Sequence, residues 1–225
     1  MAAPFFLWYV YHQHEQTLAF RGLLNRAWLK DVALFAAGLI PFGILLLFYN
    51  YARFGSVFDS GYQTVYESYI NRDVAYSYYR LQFPDAGHFN LFDIRNVPLH
   101  IHALFLMPPD LFPDWSVIRP SRHGLSVVFT SPAFVYAFLV QRRTPLKAAS
   151  WIAIALISVP LFLHYSQGWW QYGYRFLLDF APFLLILTAM GFDDHTSVRS
   201  RRIQFVLVAW SVLAGVWGLY WAHSW

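Results

Sequence analysis

The stretch QGWWQYGYRFLLDFAPFLLIL, residues 167–187, sets an arginine and an aspartate, Arg175 and Asp179, at the mouth of an otherwise unbroken apolar run. Four residues apart on an α-helix, the two side chains share a face and can pair. The arginine comes first, which is the weaker order, because a cation at a helix amino terminus opposes the dipole. Two chemistries answer to that pattern. One is a structural ion pair that fixes the helix in a bundle and spares a carboxylate from standing alone near hydrocarbon. The other is an outward-facing anion site, best suited to phosphate. There the guanidinium fork and the open amides of Tyr174 to Leu177 would face the ligand while Asp179 holds the arginine in place.

Elsewhere the chemistry is thinner. Asp59 follows the first apolar run by about ten residues and has the acidity for proton transfer, yet Asp59-Ser60-Gly61 is also a common turn composition in which the carboxylate caps the backbone. His88, His100, His102 and His123 lie in one region, and imidazole is the commonest metal ligand. In PLHIHALFLM, however, two histidines at that spacing face the same way only on a strand, and no acidic residue stands at ligand-like spacing, so no metal is expected. That run, ended by Pro108 and Pro109, reads better as an amphipathic segment resting on the outer membrane surface. The chain has no cysteine, which removes disulfide and thiol chemistry.

These side chains need elements to hold them. With 58% hydrophobic, 21% aromatic and 12% charged residues, a chain of 225 residues carries more apolar surface than a water-soluble core absorbs. About twenty mostly apolar residues cross a hydrocarbon core of about 30 Å. Five stretches qualify: 32–49, 124–140, 148–165, 174–191 and 203–222. The expected fold is an all-α integral membrane protein of about five transmembrane helices, a membrane domain over 32–222 with one large extracytoplasmic loop at 51–123. Prolines 41, 132, 160 and 182 fall inside these spans and either kink them around a cavity or are simply tolerated.

Basic residues orient the spans, since Lys and Arg near span ends stay on the cytoplasmic side. Arg21, Arg26 and Lys30 precede the first span, QRRTPLK joins the second to the third, and Arg199, Arg201 and Arg202 precede the fifth. SQGWWQYG, between the third and fourth, is uncharged, and the long loop balances six Arg against seven acids. The amino terminus is therefore expected inside and the carboxyl terminus outside. The formal charge of +4 is a topology signal and calls for no nucleic acid. Residues 1–31 read as a cytoplasmic segment. Within them, AAPFFLWYVY is too short to span and is expected to be the inner end of an upstream helix whose start is missing, or else an interfacial segment.

The stretches YNYARFGSVFDSGYQ (49–63), NVPLHIHALFLMPPDLFP (96–113), LSVVFTSPAF (125–134) and GWWQYGYRFLLDFAPFLLIL (168–187) run from residue 49 onward. Together they resemble the carboxyl-terminal half of bacterial polytopic membrane proteins of the GT-C glycosyltransferase class, the protein-mannosyltransferase-like group. The resemblance implies a multi-pass protein of the inner (plasma) membrane that transfers a sugar from a polyprenyl-phosphate donor at the outer face. Membrane lipid and that donor are the implied partners, with no cofactor. The matching positions are Arg53, Gly55, Asp59, Gly61, Tyr62 and Gln63 after the first span, and Gln171, Gly173, Tyr174, Arg175 and Asp179 at the fourth. Of these, Asp59, Tyr62, Gln63, Gln171, Tyr174, Arg175 and Asp179 are the implied substrate-binding residues. In that class the catalytic base is an acid in the first outward loop, a region without counterpart here, so no catalytic residue is assigned. The expectation is a transferase fragment lacking its catalytic amino-terminal half, or working with a partner subunit. The alternative is a non-catalytic membrane subunit or lipid-phosphate-binding scaffold. A transporter is disfavoured, because the spans show neither paired broken helices nor inverted halves.

Overall fold

The computed structural model describes residues 5, 6, 8, 9, 26–61, 64, 91–111, 118–121, 124–166, 168 and 171–222. Within them the chain is mostly helical, with one short antiparallel ribbon. Three helices, over 28–54, 145–163 and 198–221, are long and apolar enough to cross a membrane, the pattern of a membrane protein. The described residues fall in two units, Met1–Ser77 and Tyr78–Trp225.

The first unit is carried by α1 (Arg26–Phe54), 29 residues that run through Pro41. At ~1.5 Å per residue it is about 43 Å long, more than the hydrocarbon thickness. Its apolar side chains stand exposed, Phe42 at 72% and Leu45 at 63%, a surface that hydrocarbon solvates and water does not. The helix ends as helices commonly do, on a left-handed glycine: Gly55 has φ 72° and its amide donates to the Tyr51 carbonyl at 2.9 Å. Beyond it, the buried Asn50 amide donates to the Val57 carbonyl at 3.2 Å and ties the following turn back to the helix.

Among the described residues, the first helical elements of the second unit are a 3-10 turn (Ile94–Asn96), α2 (Val97–Ile101) and a π-helical turn (His102–Leu106). Strands β1 (Asp110–Leu111) and β2 (Ile118–Arg119) pair Asp110 with Arg119 and Leu111 with Ile118. Then come α3 (Val127–Thr130), a 3-10 turn (Pro132–Phe134), α4 (Val135–Phe138), α5 (Pro145–Leu163), a 3-10 helix (Arg175–Asp179), α6 (Ala181–Asp194) and α7 (Val198–Ala222).

Two of the five expected spans are not continuous helices, and proline is the reason in both. In 124–140, Ser131 leaves helical geometry (φ −147°, ψ 60°) one residue before Pro132. A proline has no N–H for the carbonyl four residues back, and its ring collides with it. The break leaves the Phe129 carbonyl open to a tertiary donor, and Trp210 Nε1 of α7 fills that place at 2.7 Å. In 174–191, Pro182 acts against Leu178 in the same way, so Phe180 (φ −118°, ψ 2°) divides a 3-10 helix from α6.

The segment 97–107 also departs from expectation. Instead of lying wholly on a membrane surface, it buries Leu99, His100, Ala103, Leu104 and Met107 in the core, while Ile101, Phe105 and Leu106 stay exposed. Helix α6 packs against α4 at Gly191, where an added Cβ would lie 2.0 Å from the Tyr136 carbonyl oxygen. One end of this unit is held by Arg142, which reaches Asp194 at 2.7 Å, Asp193 at 2.5 Å and the Met190 carbonyl at 3.3 Å. Gln204 of α7 donates to the His195 carbonyl at 2.8 Å and completes the clasp.

Candidate functional site

The opposite end of α5 is where the polar side chains of the second unit converge. A helix terminus leaves its last carbonyls without partners. Here the segment 91–96 supplies them: the Asp93 amide donates to the Leu163 carbonyl at 2.8 Å and Asn96 Nδ2 to the same oxygen at 2.9 Å. Asp93 in turn caps its own 3-10 turn and holds Arg95 in two contacts of 2.7 and 2.9 Å.

His100 is the centre of the arrangement and is fully buried. Its ring stacks with Phe162 and with Phe176, with centroids at 5.8 and 6.0 Å. Nε2 lies 2.7 Å from the His164 carbonyl and Nδ1 lies 2.7 Å from the Tyr174 hydroxyl. A carbonyl only accepts, so Nε2 carries the proton and Nδ1 accepts from Tyr174. Burial pushes the imidazole pKa down to about 4, against the opposing pull of the His164 carbonyl, so the ring is neutral at physiological pH. A neutral imidazole is thereby built into the joint between the end of α5 and the 3-10 helix.

Gln171 is the second fixed point. It is buried, and its Oε1 accepts the Arg175 amide at 3.1 Å. Two glycines make room for it. Gly124 (φ 108°) and Gly168 (φ 113°) sit so close that a Cβ would lie 3.0 Å from Gln171 Nε2 at the first and 2.6 Å from Gln171 Oε1 at the second. A positive φ and a filled Cβ position both require glycine there. The Tyr174 amide is also held, donating to the Leu125 carbonyl at 3.3 Å.

Arg175 and Asp179 do not form the expected pair. Both are exposed, and among the described residues no ion pair joins them. A 3-10 helix has three residues per turn, so positions four apart point about 120° away from each other. The expected row of open amides is reduced as well, because Gln171 takes the Arg175 N–H and the Tyr174 carbonyl takes the Leu177 N–H at 3.0 Å. What remains is a guanidinium 5.6 Å above the Phe176 ring, exposed on a backbone that Tyr174 and Gln171 anchor.

The structure thus gathers four of the sequence-derived residues, Gln171, Tyr174, Arg175 and Asp179, in one place. Asp59 belongs to the first unit, where its carboxylate accepts from the Gly61 amide at 2.8 Å and the Thr64 hydroxyl at 3.1 Å, the turn-capping role its tripeptide suggested. Tyr62 and Gln63 lie outside the described residues. Sequence reasoning missed the part played by His100. The signal was a histidine inside an apolar run, which needs two polar partners when buried. No group of residues able to hold a metal occurs among the described residues. No protein family, curated protein or solved structure matches this chain.

Proposed function

We propose that this chain takes part in sugar transfer from a polyprenyl-phosphate donor at the outer face of the plasma membrane, with Arg175 as the contact to the donor phosphate. One observation carries the reading: Arg175 is exposed, has no carboxylate partner among the described residues, and stands on backbone fixed by Gln171 and the His100–Tyr174 bond. A guanidinium free to offer its planar fork is suited to a phosphate, and an aromatic face below it limits its freedom. Asp179 tunes the local field and does not clamp the arginine. In this reading the Arg142 clasp, among the basic turns, lies at the cytoplasmic side, and the broken segments 124–140 and 174–191 complete a five-span protein whose amino terminus is inside.

The alternative, a lipid-phosphate-binding subunit without catalysis, draws support from Asp59, whose two carboxylate oxygens are engaged in holding its own turn.

Purified protein in nanodiscs, titrated with polyprenyl phosphate, tests the assignment. Arg175→Ala should weaken binding roughly ten- to a hundredfold, as expected for a charged hydrogen bond of about 1.5–3 kcal/mol. Arg175→Lys should recover only part of it, because the charge returns without the fork. Unchanged affinity together with a lowered melting temperature would make Arg175 a structural residue.

A further inference from the structure

We propose that a groove beside α7 holds one acyl chain of a bilayer phospholipid. The groove is open along one side and offers about 450 Å³, with walls formed by Leu111 and Ile118 of the ribbon, Phe129 of α3, and Trp210, Leu213 and Trp217 of α7. This inference rests on the membrane character of α7 and is independent of the sugar-transfer reading.

Three observations select the occupant. The lining carries no charged or hydroxyl-bearing side chain, and Trp210 turns its Nε1–H to the Phe129 carbonyl at 2.7 Å. A sugar, a phosphate or a peptide backbone entering here would lose its hydrogen bonds to water and gain none, at a cost of several kcal/mol. Next, α7 is long and apolar enough to cross a membrane, and only 17% of its most apolar window is buried, so hydrocarbon is the medium outside the groove. Apolar cavities stay dry and take apolar molecules, and the abundant apolar molecule at that depth is a lipid tail. Size decides between tails. At roughly 30 Å³ for each water-sized group, the space takes about fifteen methylenes, the length of one acyl chain, which fills it without leaving most of its length outside as a long isoprenoid would.

The walls are also preformed. Phe129 contacts Trp210 and Trp217 edge-on or tilted, at 5.5 and 5.8 Å. Tyr172 packs against Gly218, where a Cβ would lie 2.1 Å from its ring, and its hydroxyl bonds the Ala214 carbonyl. Both helix glycine and tyrosine hold α7 against the body of the unit, so the groove does not need its ligand to exist.

The test uses the whole chain, purified in a mild detergent, with bound lipid counted by native mass spectrometry and by extraction. About one phospholipid per chain should be retained. Leu213 lines the groove and is 65% exposed, so Leu213→Trp fills the space with little effect on the fold and should lower retention severalfold. Leu213→Ser, which sets a hydroxyl against the chain, should lower it too. Leu219 is equally exposed at 65% on the same helix and is not part of the lining, so Leu219→Trp should leave retention unchanged. A chain that carries no phospholipid, an isoprenoid found in its place, or equal retention in the Leu213 and Leu219 variants would each overturn the assignment.

Discussion

The Tyr174 hydroxyl donates to Nδ1 of His100 across 2.7 Å, joining residues 74 apart in sequence. His100 passes the connection on through Nε2 to the His164 carbonyl, so three segments meet on one buried imidazole. The exposed Arg175 next to Tyr174 inherits its position from that joint.

Removing one partner of a buried hydrogen bond leaves the other without solvent or substitute. Tyr174→Phe should therefore destabilise the protein by about 1–3 kcal/mol. His100→Phe keeps the ring stack and strands two groups, so it should cost more than Tyr174→Phe. Thermal unfolding in detergent measures both, and equal melting temperatures for wild type and Tyr174→Phe would contradict the bond.

Acid should weaken the protein in two separate windows. The folded pKa of His100, about 4, lies below the ordinary value of 6.5, so the unfolded chain binds the extra proton first. Stability should therefore fall as pH drops from 6.5 towards 4, and His100→Gln should flatten that part of the curve. Asp194 behaves differently. Its partial desolvation would raise the carboxyl, but the Gln141 and Arg142 amides and the Arg142 guanidinium outweigh it and hold the pKa below the ordinary carboxylate value. Its contribution is complete above the unfolded value of about 3.9 and is lost as pH falls through the depressed folded value. Asp194→Asn should remove the loss below pH 4 and leave the upper window intact.

Gly191 tolerates no side chain, because its Cβ would lie 2.0 Å from a main-chain oxygen of Tyr136. A backbone atom cannot rotate away as a side chain does. Gly191→Ala should force α4 and α6 apart at about 1–3 kcal/mol, whereas Gly215→Ala, with open space around it, should be neutral or slightly stabilising. Comparing the two variants in one unfolding series separates packing from helix propensity.

Topology can be read with single cysteines in a chain that has none of its own. Ser60 and Thr196 are both exposed. An impermeant thiol reagent on intact cells should label Ser60→Cys and spare Thr196→Cys, because basic residues flank the second and the proposed orientation puts the first outside. The reverse pattern would invert the proposed orientation and move Arg175 to the other side.

Much of the fold was legible from composition and run length. The spans expected at 32–49, 148–165 and 203–222 correspond to α1, α5 and α7, each a little longer than its apolar core. Hydropathy works there because a lipid-exposed helix must be apolar over its whole length. At 124–140 and 174–191, also apolar, it did not foresee that the helices would be interrupted. Whether an internal proline kinks a helix or breaks it depends on what meets the released carbonyls, and for Phe129 the answer is Trp210, 81 residues away.

The residue types of the candidate site were visible in the order of the chain: an arginine, an amide and a tyrosine among aromatics at a helix mouth. Their relation was not. Sequence spacing assigns a shared face to Arg175 and Asp179 only if the helix is α, and the 3-10 geometry separated them. The partners that hold the site, His100, Gly124 and the His164 carbonyl, come from distant segments, because a buried polar atom is satisfied by whatever the packing brings near and local order encodes none of that. Composition by itself therefore determined that three helices are long and apolar enough to cross a membrane, while tertiary packing decided that Arg175 and Asp179 stand exposed without pairing with each other.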